Sequence, residues 1–419
     1  ALPSGGRAGT HPHGAMRARR WLFVSVPLWG HLDYGGYLDL AVALARRGQR
    51  ILWASGPLVQ EAVVRRGLPF APLASAGWRW LPPLPPDLPP AERQRQRRAR
   101  ALDAWLHPEE ARRGLHSLGA WIEAWRPDML VAEPFAGAAA WAAERYGLPL
   151  IVVGFPAGRW PDPNTPEARA DLEAARDRLA QVAERLSLEG CYWRADPFPQ
   201  ITSPLLHVAF FPRPWFVDLI EAAPQNRFFG GRPREARAPR ARHPRPRALI
   251  TLGSTFTEDP AFFLGAIRAV QAAGGEPIPV VGRSPFAPGL RERLQRRAPG
   301  VEIREWVDYA AIFPAVDLVI HHGGMGTTHA ALVHGVPQLV VPHAGEQHLQ
   351  AWRGQAAGVG LALGPHEATP ARWQEAVARL LEETGFRQQA RHWSERMASA
   401  GDPEAAADAL LEAADHHIG

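Results

Sequence analysis

Short apolar runs alternate with segments of helical spacing along the first half of the chain. The apolar runs, which are typical of buried strands, are residues 21–26, 51–54, 129–132 and 150–154. An Ala-rich segment with helical spacing, residues 136–146, joins the last two runs. A strand, a helix and a strand in this order predict a parallel sheet with helices on both faces.

The same alternation begins again after a segment of Arg, Pro and Ala at residues 232–247, which predicts a linker. The later runs of strand type are residues 248–252, 278–281, 318–320 and 339–341. Helical patterns are found at residues 261–273, 289–297 and 327–334, and the tail from 371 to 414 is predicted to be helical throughout. The predicted fold class is therefore α/β, with two doubly wound, Rossmann-like domains that face each other across a cleft.

The pattern also divides the 419 residues into segments. Residues 1–16 are predicted to be a leader or a cloning remnant, because they lack the apolar core of a secretory signal. Residues 17–231 form the predicted N-terminal domain, and residues 248–419 form the predicted C-terminal domain. The last helix is a candidate to pack back on the N-terminal domain.

Composition narrows the class of protein further. The formal net charge is +5, and the positively charged side chains counted in it are all Arg. A GC-rich coding bias explains this use of Arg, so we expect no nucleic-acid partner. A single cysteine, Cys191, excludes an intrachain disulfide and makes the cytoplasm the expected location. No apolar run has the length of a transmembrane helix.

The most informative motif is His-His-Gly-Gly-Met-Gly-Thr-Thr at residues 321–328, between a predicted strand and a predicted helix. Its glycines let the backbone approach an anion, and a helix N-terminus offers free N–H donors, so a diphosphate fits here. Thr327 and Thr328 are candidate N-cap residues or phosphate ligands. A Gly-rich turn without a ligand and a dinucleotide site are the alternatives, although no acidic residue ends the next strand.

The residues that follow this motif extend the pattern. Gly-Val-Pro at 335–337 precedes the next strand, and Glu346 and Gln347 come shortly after that strand ends. A carboxylate beside an amide suits paired hydrogen bonds to neighbouring hydroxyls of a sugar.

Together these residues resemble the donor-site signature of nucleotide-sugar-dependent glycosyltransferases, which include plant UDP-glycosyltransferases and bacterial natural-product glycosyltransferases. The resemblance extends over most of the chain from Arg20 and is densest between Glu305 and Gly360. It implies the GT-B fold, in which two Rossmann-like domains face each other and the C-terminal one holds most of the donor.

The resemblance also implies roles for individual residues. His322 and backbone groups at Gly324, Gly326 and Thr327 contact the diphosphate of a UDP- or dTDP-sugar, together with Ser254. Glu346 and Gln347 hold the sugar, and Trp306 stacks on the base. Two departures leave the nucleotide open: Ala330 replaces a Glu that grips both ribose hydroxyls, and Tyr309 replaces a Gln.

In the N-terminal half, the resemblance implies that His31 is the general base and that Glu133 orients it. Glu133 is one methylene longer than the usual Asp, which leaves the geometry of the pair open. Aromatic residues in or near predicted loops are candidates to line an apolar acceptor pocket: Trp29, Tyr34, Trp78, Trp80 and Trp105.

The predicted function is therefore an inverting, metal-independent hexosyltransferase that acts on a hydroxyl of a small hydrophobic acceptor, as a monomer or homodimer. Neither a cofactor nor a metal ion is expected, since the nucleotide-sugar is a co-substrate. The alternatives are a GT-B nucleotide-sugar epimerase or hydrolase, and a non-catalytic nucleotide-sugar-binding protein.

Overall fold

The structure is a computed structural model, and it describes most of the chain. The described residues are 18–32, 35–81, 84–85, 88–159, 166–195, 199–216, 220–232, 243–253, 259–282, 289–343, 346–364 and 367–418. The predicted leader, residues 1–16, lies outside them, as do residues 233–242 of the predicted linker.

The N-terminal half contains a parallel sheet with the strand order β11-β9-β5-β4-β1-β2-β3. Its remaining short strands form the antiparallel pairs β6–β10 and β7–β8. The strands of this half are β1 (Arg20–Val24), β2 (Arg50–Ser55), β3 (Phe70–Pro72), β4 (Met129–Ala132), β5 (Leu150–Val153), β6 (Gly158–Arg159), β7 (Trp193–Arg194), β8 (Gln200–Ile201), β9 (Leu206–Ala209), β10 (Glu221–Ala222) and β11 (Asn226–Phe228).

Helices cover both faces of this sheet. They are α1 (Trp29–Leu32), α2 (Tyr37–Arg46), α3 (Gln60–Arg65), α4 (Pro90–Trp105), α5 (Pro108–Trp125), α6 (Gly137–Tyr146) and α7 (Pro166–Leu186). Side chains along β1 alternate between two core clusters, with Trp21 and Phe23 in one and Leu22 and Val24 in the other. Because both faces are buried, the strand is apolar at consecutive positions, which explains its continuous apolar run.

The C-terminal half contains a second parallel sheet, with the order β13-β12-β14-β15-β16. Its strands are β12 (Arg247–Thr251), β13 (Glu276–Val280), β14 (Leu318–His321), β15 (Gln338–Val340) and β16 (Gly360–Ala362). Its helices are α8 (Pro260–Ala272), α9 (Leu290–Arg297), α10 (Tyr309–Ile312), α11 (Met325–His334), α12 (Glu346–Ala356), α13 (Pro370–Glu382), α14 (Thr384–Ser399) and α15 (Pro403–Ile418). The two sheets confirm the predicted pair of parallel α/β units.

The strand order reverses at one place in each sheet, and ligands of open α/β sheets bind beside such reversals. In the N-terminal sheet the reversal lies between β1 and β4, whose carboxyl ends lead to His31 and Glu133. In the C-terminal sheet it lies between β12 and β14, whose ends lead to Gly253 and His322. The topology thus brings the predicted catalytic and diphosphate residues to the two reversal points.

Two predicted boundaries are wrong. The tail is not one continuous helix. It breaks at Glu383, whose extended backbone separates α13 from α14, and again at residues 400–402, where Gly401 has a φ of +89° and Pro403 begins the next helix. Helix α11 begins at Met325 with Gly324 as its N-cap, which places Thr327 and Thr328 inside the helix, so the prediction that they cap it is incorrect.

The last helix, α15, follows the C-terminal sheet in sequence but packs on the N-terminal half. Ala406, Leu410 and Ala414 are buried in the same core cluster as α2. Arg47 on the end of α2 forms ion pairs with Glu404 and Asp408. Across the described ranges, the helices are all too short or too polar to cross a lipid bilayer.

Candidate active site between the two sheets

A histidine–carboxylate pair lies at the reversal point of the N-terminal sheet. The Nδ1 atom of His31 on α1 is 3.1 Å from Oε2 of Glu133, which follows β4. The Glu133 side chain is 3% exposed, and its oxygens also accept hydrogen bonds from the backbone N–H groups of Val26, at 3.0 Å, and Phe135, at 3.1 Å. Because the carboxylate accepts, Nδ1 of His31 carries the hydrogen, and Nε2 keeps the lone pair that a base needs.

Tyr37 joins the two strands that carry this pair. Its hydroxyl group lies 3.1 Å from the carbonyl oxygen of Val24 at the end of β1 and 2.9 Å from that of Val131 on β4. Burial, followed by the negative charge of Glu133, raises the pKa of Tyr37 well above its usual value of 10, so the phenol stays protonated. The spacing between the ends of β1 and β4 is thereby fixed.

His321 orders the turn that leads into α11. The N–H of Gly323 donates to Nδ1 of His321 at 3.2 Å, and Nε2 lies 2.9 Å from Oε1 of Gln338, to which it donates. Burial lowers the pKa of His321 to about 4, so the ring is neutral near pH 7 and holds this single tautomer. Its role is to shape the loop rather than to contact a ligand.

His322 lies between two glycines at the reversal point of the C-terminal sheet. A Cβ atom at Gly253 would lie 2.9 Å from Cε1 of His322, and one at Gly324 would lie 2.5 Å from its Nε2. Burial, and then the charges of His321 and His343, lowers the pKa of His322 well below its usual value. The ring is therefore a neutral, buried group that is packed against the loops at both strand ends.

The N-terminus of α11 has no side-chain cap. Gly324 occupies the N-cap position, where it brings no hydroxyl or carboxylate to the first N–H groups of the helix. The Thr328 hydroxyl donates to the carbonyl oxygen of Gly324 at 3.1 Å, and the Thr327 hydroxyl lies 3.0 Å from that of the half-buried Tyr309. These contacts commit both threonine side chains, which leaves the backbone donors of α11 as the groups suited to an anion.

The two halves approach each other at this helix. A Cβ atom at Gly326, in the first turn of α11, would lie 3.5 Å from the carbonyl oxygen of Gly30. Gly30 immediately precedes His31, so the predicted base and the predicted diphosphate site lie next to each other. Larger side chains at Gly326 would extend toward the segment that carries the base.

Gln347, in the first turn of α12, contacts the loop that follows β15. It is buried, and its Oε1 accepts the backbone N–H of His343 at 2.9 Å, so this oxygen holds the loop after β15. His343 is itself anchored, because Nδ1 lies 2.9 Å from the carbonyl oxygen of Val341 and Nε2 lies 3.2 Å from Oδ2 of Asp259. Glu346 begins α12, but its side chain lies outside the described part of the structure, as does all of Ser254.

Trp306, the residue predicted to stack on the base of the donor, is exposed to solvent. Its side chain is 56% exposed, in the segment between α9 and α10. Trp306 is therefore not a core residue, and its exposure suits a stacking face for a flat ring.

The predicted acceptor aromatics divide into two groups in the structure. Trp78 and Trp80 contact each other edge to face at 4.8 Å and pack against the N-terminal core. Trp29 is half-buried on α1, and Tyr34 lies outside the described residues. Trp105 belongs to a row of rings that reaches the predicted base.

This row includes two residues that the sequence analysis missed. The ring of Phe135 lies 5.3 Å from that of His31 and 5.1 Å from that of Trp105. Trp105 in turn lies 5.5 Å from Trp193. Phe135 was detectable, since it follows Glu133 by two positions, whereas Trp193 is brought here by the fold alone.

The indole nitrogens of Trp105 and Trp193 have a further property. Within the described chain both nitrogens are buried and have no hydrogen-bond partner. Buried N–H groups without a partner are costly and mark positions where a ligand or water can supply the acceptor.

Among the same described residues, no three His, Cys, Asp or Glu side chains are arranged to share a metal ion.

Comparison with known proteins shows similarity along the chain. Residues 286–413 match the family model described as the C-terminal domain of erythromycin biosynthesis protein CIII-like proteins. The chain is 30% identical over 299 residues to the elloramycin glycosyltransferase of Streptomyces olivaceus, with 67% of each chain covered. It is 26% identical over 435 residues to the TDP-daunosamine transferase of Streptomyces peucetius, with 92% of this chain and 95% of that protein covered.

A solved structure extends the comparison to three dimensions. The crystal structure of the glycosyltransferase of kitacinnamycin superposes with a TM-score of 0.70 at 25% identity, and the match covers 95% of this chain and 99% of that one. The match extends over both α/β units, which confirms the GT-B fold implied by the sequence.

Proposed function

The chain belongs to the family of bacterial natural-product glycosyltransferases that use nucleotide-sugar donors, and we propose that it transfers a hexose to a hydroxyl of a small apolar acceptor with inversion. One observation carries this proposal. The His31–Glu133 pair lies beside the uncapped N-terminus of α11, at the point where the two sheets meet. A base and an anion site in this arrangement suit displacement of a nucleoside diphosphate by a hydroxyl group.

In the proposed reaction, His31 acts as the general base. The acceptor oxygen bonds to the anomeric carbon of the sugar as its proton passes to Nε2 of His31. The bond from that carbon to the phosphate oxygen breaks, and its electron pair stays on the nucleoside diphosphate. Glu133 holds the ring through Nδ1 and stabilises the imidazolium as it forms.

The negative charge that develops on the leaving diphosphate is met by groups of the C-terminal half. These are the backbone N–H groups at the start of α11, near Gly326 and Thr327, together with His322. The resemblance to glycosyltransferases adds Ser254 to this set. We propose that the reaction needs no metal ion, since these groups supply the electrostatic stabilisation. The hydroxyls of the sugar are assigned to Glu346 and Gln347, with the amide nitrogen of Gln347 as the donor.

The row of rings from Phe135 to Trp193 is proposed as one wall of the acceptor pocket. Phe135 contacts the ring of His31, so an acceptor packed on this wall has its hydroxyl group near the base. The indole N–H groups of Trp105 and Trp193 then donate to oxygen atoms of the acceptor. This assignment favours a planar apolar molecule that carries carbonyl or hydroxyl oxygens.

For the nucleotide, we propose dTDP rather than UDP. Ala330 on α11 carries no group that can grip both hydroxyls of a ribose, and a deoxyribose has only one of them. A relative that resembles the chain over nearly its whole length is named a TDP-daunosamine transferase. A thermal-shift titration tests this choice, because the nucleotide that binds more tightly raises the melting temperature more at equal concentration.

The decisive experiment for the reaction compares His31→Ala with the unchanged protein. We expect the variant to bind dTDP with the same Kd and to lose about 10²–10⁴-fold in kcat, as for removal of a general base. Full turnover by the variant would reject the base assignment. Consumption of donor at the same rate with and without an acceptor would identify a hydrolase or epimerase, and binding without any turnover would identify a binding protein.

A further inference from the structure

Residues 230–232, where the chain leaves the N-terminal half and enters the predicted linker, contact helix α11 and the segment before α2. His329 on α11 places its Nε2 atom 2.8 Å from the carbonyl oxygen of Gly230. Two residues later, the N–H of Arg232 donates to the carbonyl oxygen of Gly35 at 2.9 Å. We call these four residues, together with Gly231, the linker contact.

The linker contact has no spare room. Gly231 has a φ of +76°, and a Cβ atom there would lie 2.3 Å from the carbonyl oxygen of Gly35 and 2.6 Å from Nε2 of His329. A Cβ atom at Gly230 would lie 1.6 Å from the carbonyl oxygen of Met397. Only glycine fits at either position, so the backbone here is held between α11, α14 and the segment before α2.

The linker contact connects the two halves of the proposed active site. His329 lies one turn after Gly326, the residue of α11 that approaches Gly30. Gly35 lies four positions after His31. The helix proposed to hold the diphosphate and the segment that carries the base are therefore joined twice, directly at Gly30 and Gly326 and indirectly through Gly230 and Arg232.

We propose that His329 is a positioning residue for sugar transfer, because its hydrogen bond to Gly230 fixes the distance between the start of α11 and His31. This inference rests on the proposed function of both groups. The Nε2 atom of His329 bonds to Gly230 rather than to the base, so the proposed effect on the reaction passes through the linker contact. Small displacements matter in such a site, since a misplacement of about 1 Å costs up to about 10²-fold in rate.

The chemical state of His329 suits a fixed contact. The side chain is buried, and its ring packs edge to face on Phe211 at 5.5 Å. Burial lowers the pKa of His329 to about 4; the hydrogen bond to the Gly230 carbonyl opposes this shift, and the charge of Arg232 adds a smaller lowering effect. Near pH 7 the ring is therefore neutral, and Nε2 donates to the Gly230 carbonyl.

The test uses substitutions that separate the hydrogen bond from the packing. His329→Phe keeps a ring against Phe211 but cannot donate, and His329→Gln places an amide N–H near the position of Nε2. We expect the Phe variant to lose about tenfold in kcat while its Kd for dTDP stays within about twofold, and the Gln variant to recover most of kcat. A merely structural residue would not show this division between kcat and Kd.

Ser394→Ala is the matched control. The Ser394 hydroxyl donates to the carbonyl oxygen of Val333 at 2.6 Å, at the far end of α11, so its loss also removes one hydrogen bond to this helix. We expect it to lower the melting temperature without changing kcat. Equal loss of kcat in Ser394→Ala and His329→Phe would contradict the proposal, as would a wild-type kcat in His329→Phe.

A second pair of variants decides the question if the Phe variant does not fold. Asn is one methylene shorter than Gln and cannot reach Gly230, so His329→Asn is expected to be slower than His329→Gln by about tenfold. Equal rates for the two would overturn the positioning role.

The outcome for His31→Ala is independent of the outcome for His329. An active His31→Ala variant rejects the proposed function, whereas an inactive His31→Ala variant together with a fully active His329→Phe variant rejects only the role of His329.

Discussion

The Nδ1 atom of His31 lies 3.1 Å from Oε2 of Glu133, although 102 positions separate the two residues in the chain. The contact exists because β1 and β4 are neighbours in the sheet, with Trp21 paired to Met129 and Val24 paired to Ala132. Each side chain follows the end of its strand, so the parallel register places both at one edge. The pairing of β1 with β4 thus brings the proposed base, His31, into contact with Glu133.

Glu133→Gln tests whether the charge of the carboxylate matters. The substitution keeps the shape and one acceptor oxygen, but its amide can donate toward Nδ1 of His31 and favour the wrong tautomer. We expect kcat to fall by about 10²–10⁴-fold with little change in the Kd for dTDP. Steady-state kinetics and calorimetry measure the two quantities, and a kcat within twofold of the wild type would count against the orienting role.

Gly324→Ala tests the packing around His322. The new Cβ atom would lie 2.5 Å from Nε2 of His322, and Gly253 on the other side leaves the ring little room to move away. If the ring donates to the diphosphate, we expect the Kd for dTDP to rise by about ten- to hundredfold, in line with the loss of a charge-assisted bond of about 1.5–3 kcal/mol. Isothermal titration measures the change.

Gly385→Ala is the control for this substitution. A Cβ atom at Gly385, near the start of α14, would meet no atom within 4 Å. The control is expected to bind dTDP as the wild type does and to be slightly more stable, because Ala favours helix over Gly. Equal donor affinities for the two variants would show that His322 takes no part in binding.

Trp193→Phe tests the proposed wall of the acceptor pocket. The variant keeps most of the apolar ring but removes the N–H, so we expect the KM for the acceptor to rise by about fivefold and the KM for the donor to stay the same. Trp121→Phe is the control, since its indole donates to the carbonyl oxygen of Pro72 at 3.1 Å, outside the wall. An unchanged acceptor KM in Trp193→Phe would remove this residue from the pocket.

The acid stability of the fold gives a prediction that does not depend on function. Burial lowers the pKa of His207 to about 4, against the opposing effect of the hydrogen bond that Nδ1 donates to the carbonyl oxygen of Phe155 at 3.0 Å. The Nε2 atom accepts the N–H of Ser203 at 2.8 Å. Between pH 6.5 and pH 4 the unfolded chain takes up a proton at this residue that the folded chain does not. The free energy of unfolding therefore falls as the pH falls through this window, by about 1.4 kcal/mol per pH unit for each such histidine.

His207→Asn isolates the contribution of this residue. Asn keeps a donor near the position of Nδ1 but does not titrate, so we expect a less stable protein. Between pH 6.5 and pH 4 its free energy of unfolding should fall less steeply with pH, by about 1.4 kcal/mol per pH unit, which corresponds to one proton. Urea denaturation at several pH values measures the slope. An identical slope in the two proteins would mean that His207 is protonated in the folded state.

The places of the proposed base and diphosphate residues in the fold could be predicted from sequence, because each residue follows a strand that the hydrophobic pattern predicts. His31, Glu133 and His322 each follow a predicted strand, and parallel strands end at the same edge of their sheet. The apolar runs fixed these strands, since each is buried on both faces. The two α/β units were predictable for the same reason.

The roles of Thr327 and Gln347 could not be predicted in the same way. Both are polar residues, and the side-chain oxygen of each already has a partner in the protein, Tyr309 for Thr327 and the backbone of His343 for Gln347. Pairings of this kind depend on how loops pack after the sheet has formed. Trp193 is a similar case, because a two-residue strand, β7, brings it beside Trp105 from a distant part of the sequence.

A crystal structure with dTDP bound is the most direct test of the central claim, that a diphosphate binds at the N-terminus of α11 opposite His31. The account predicts phosphate oxygens within hydrogen-bonding distance of backbone N–H groups near Gly326 and Thr327 and of His322, on the side that faces His31. A diphosphate bound elsewhere, with side chains filling the start of α11, would contradict it.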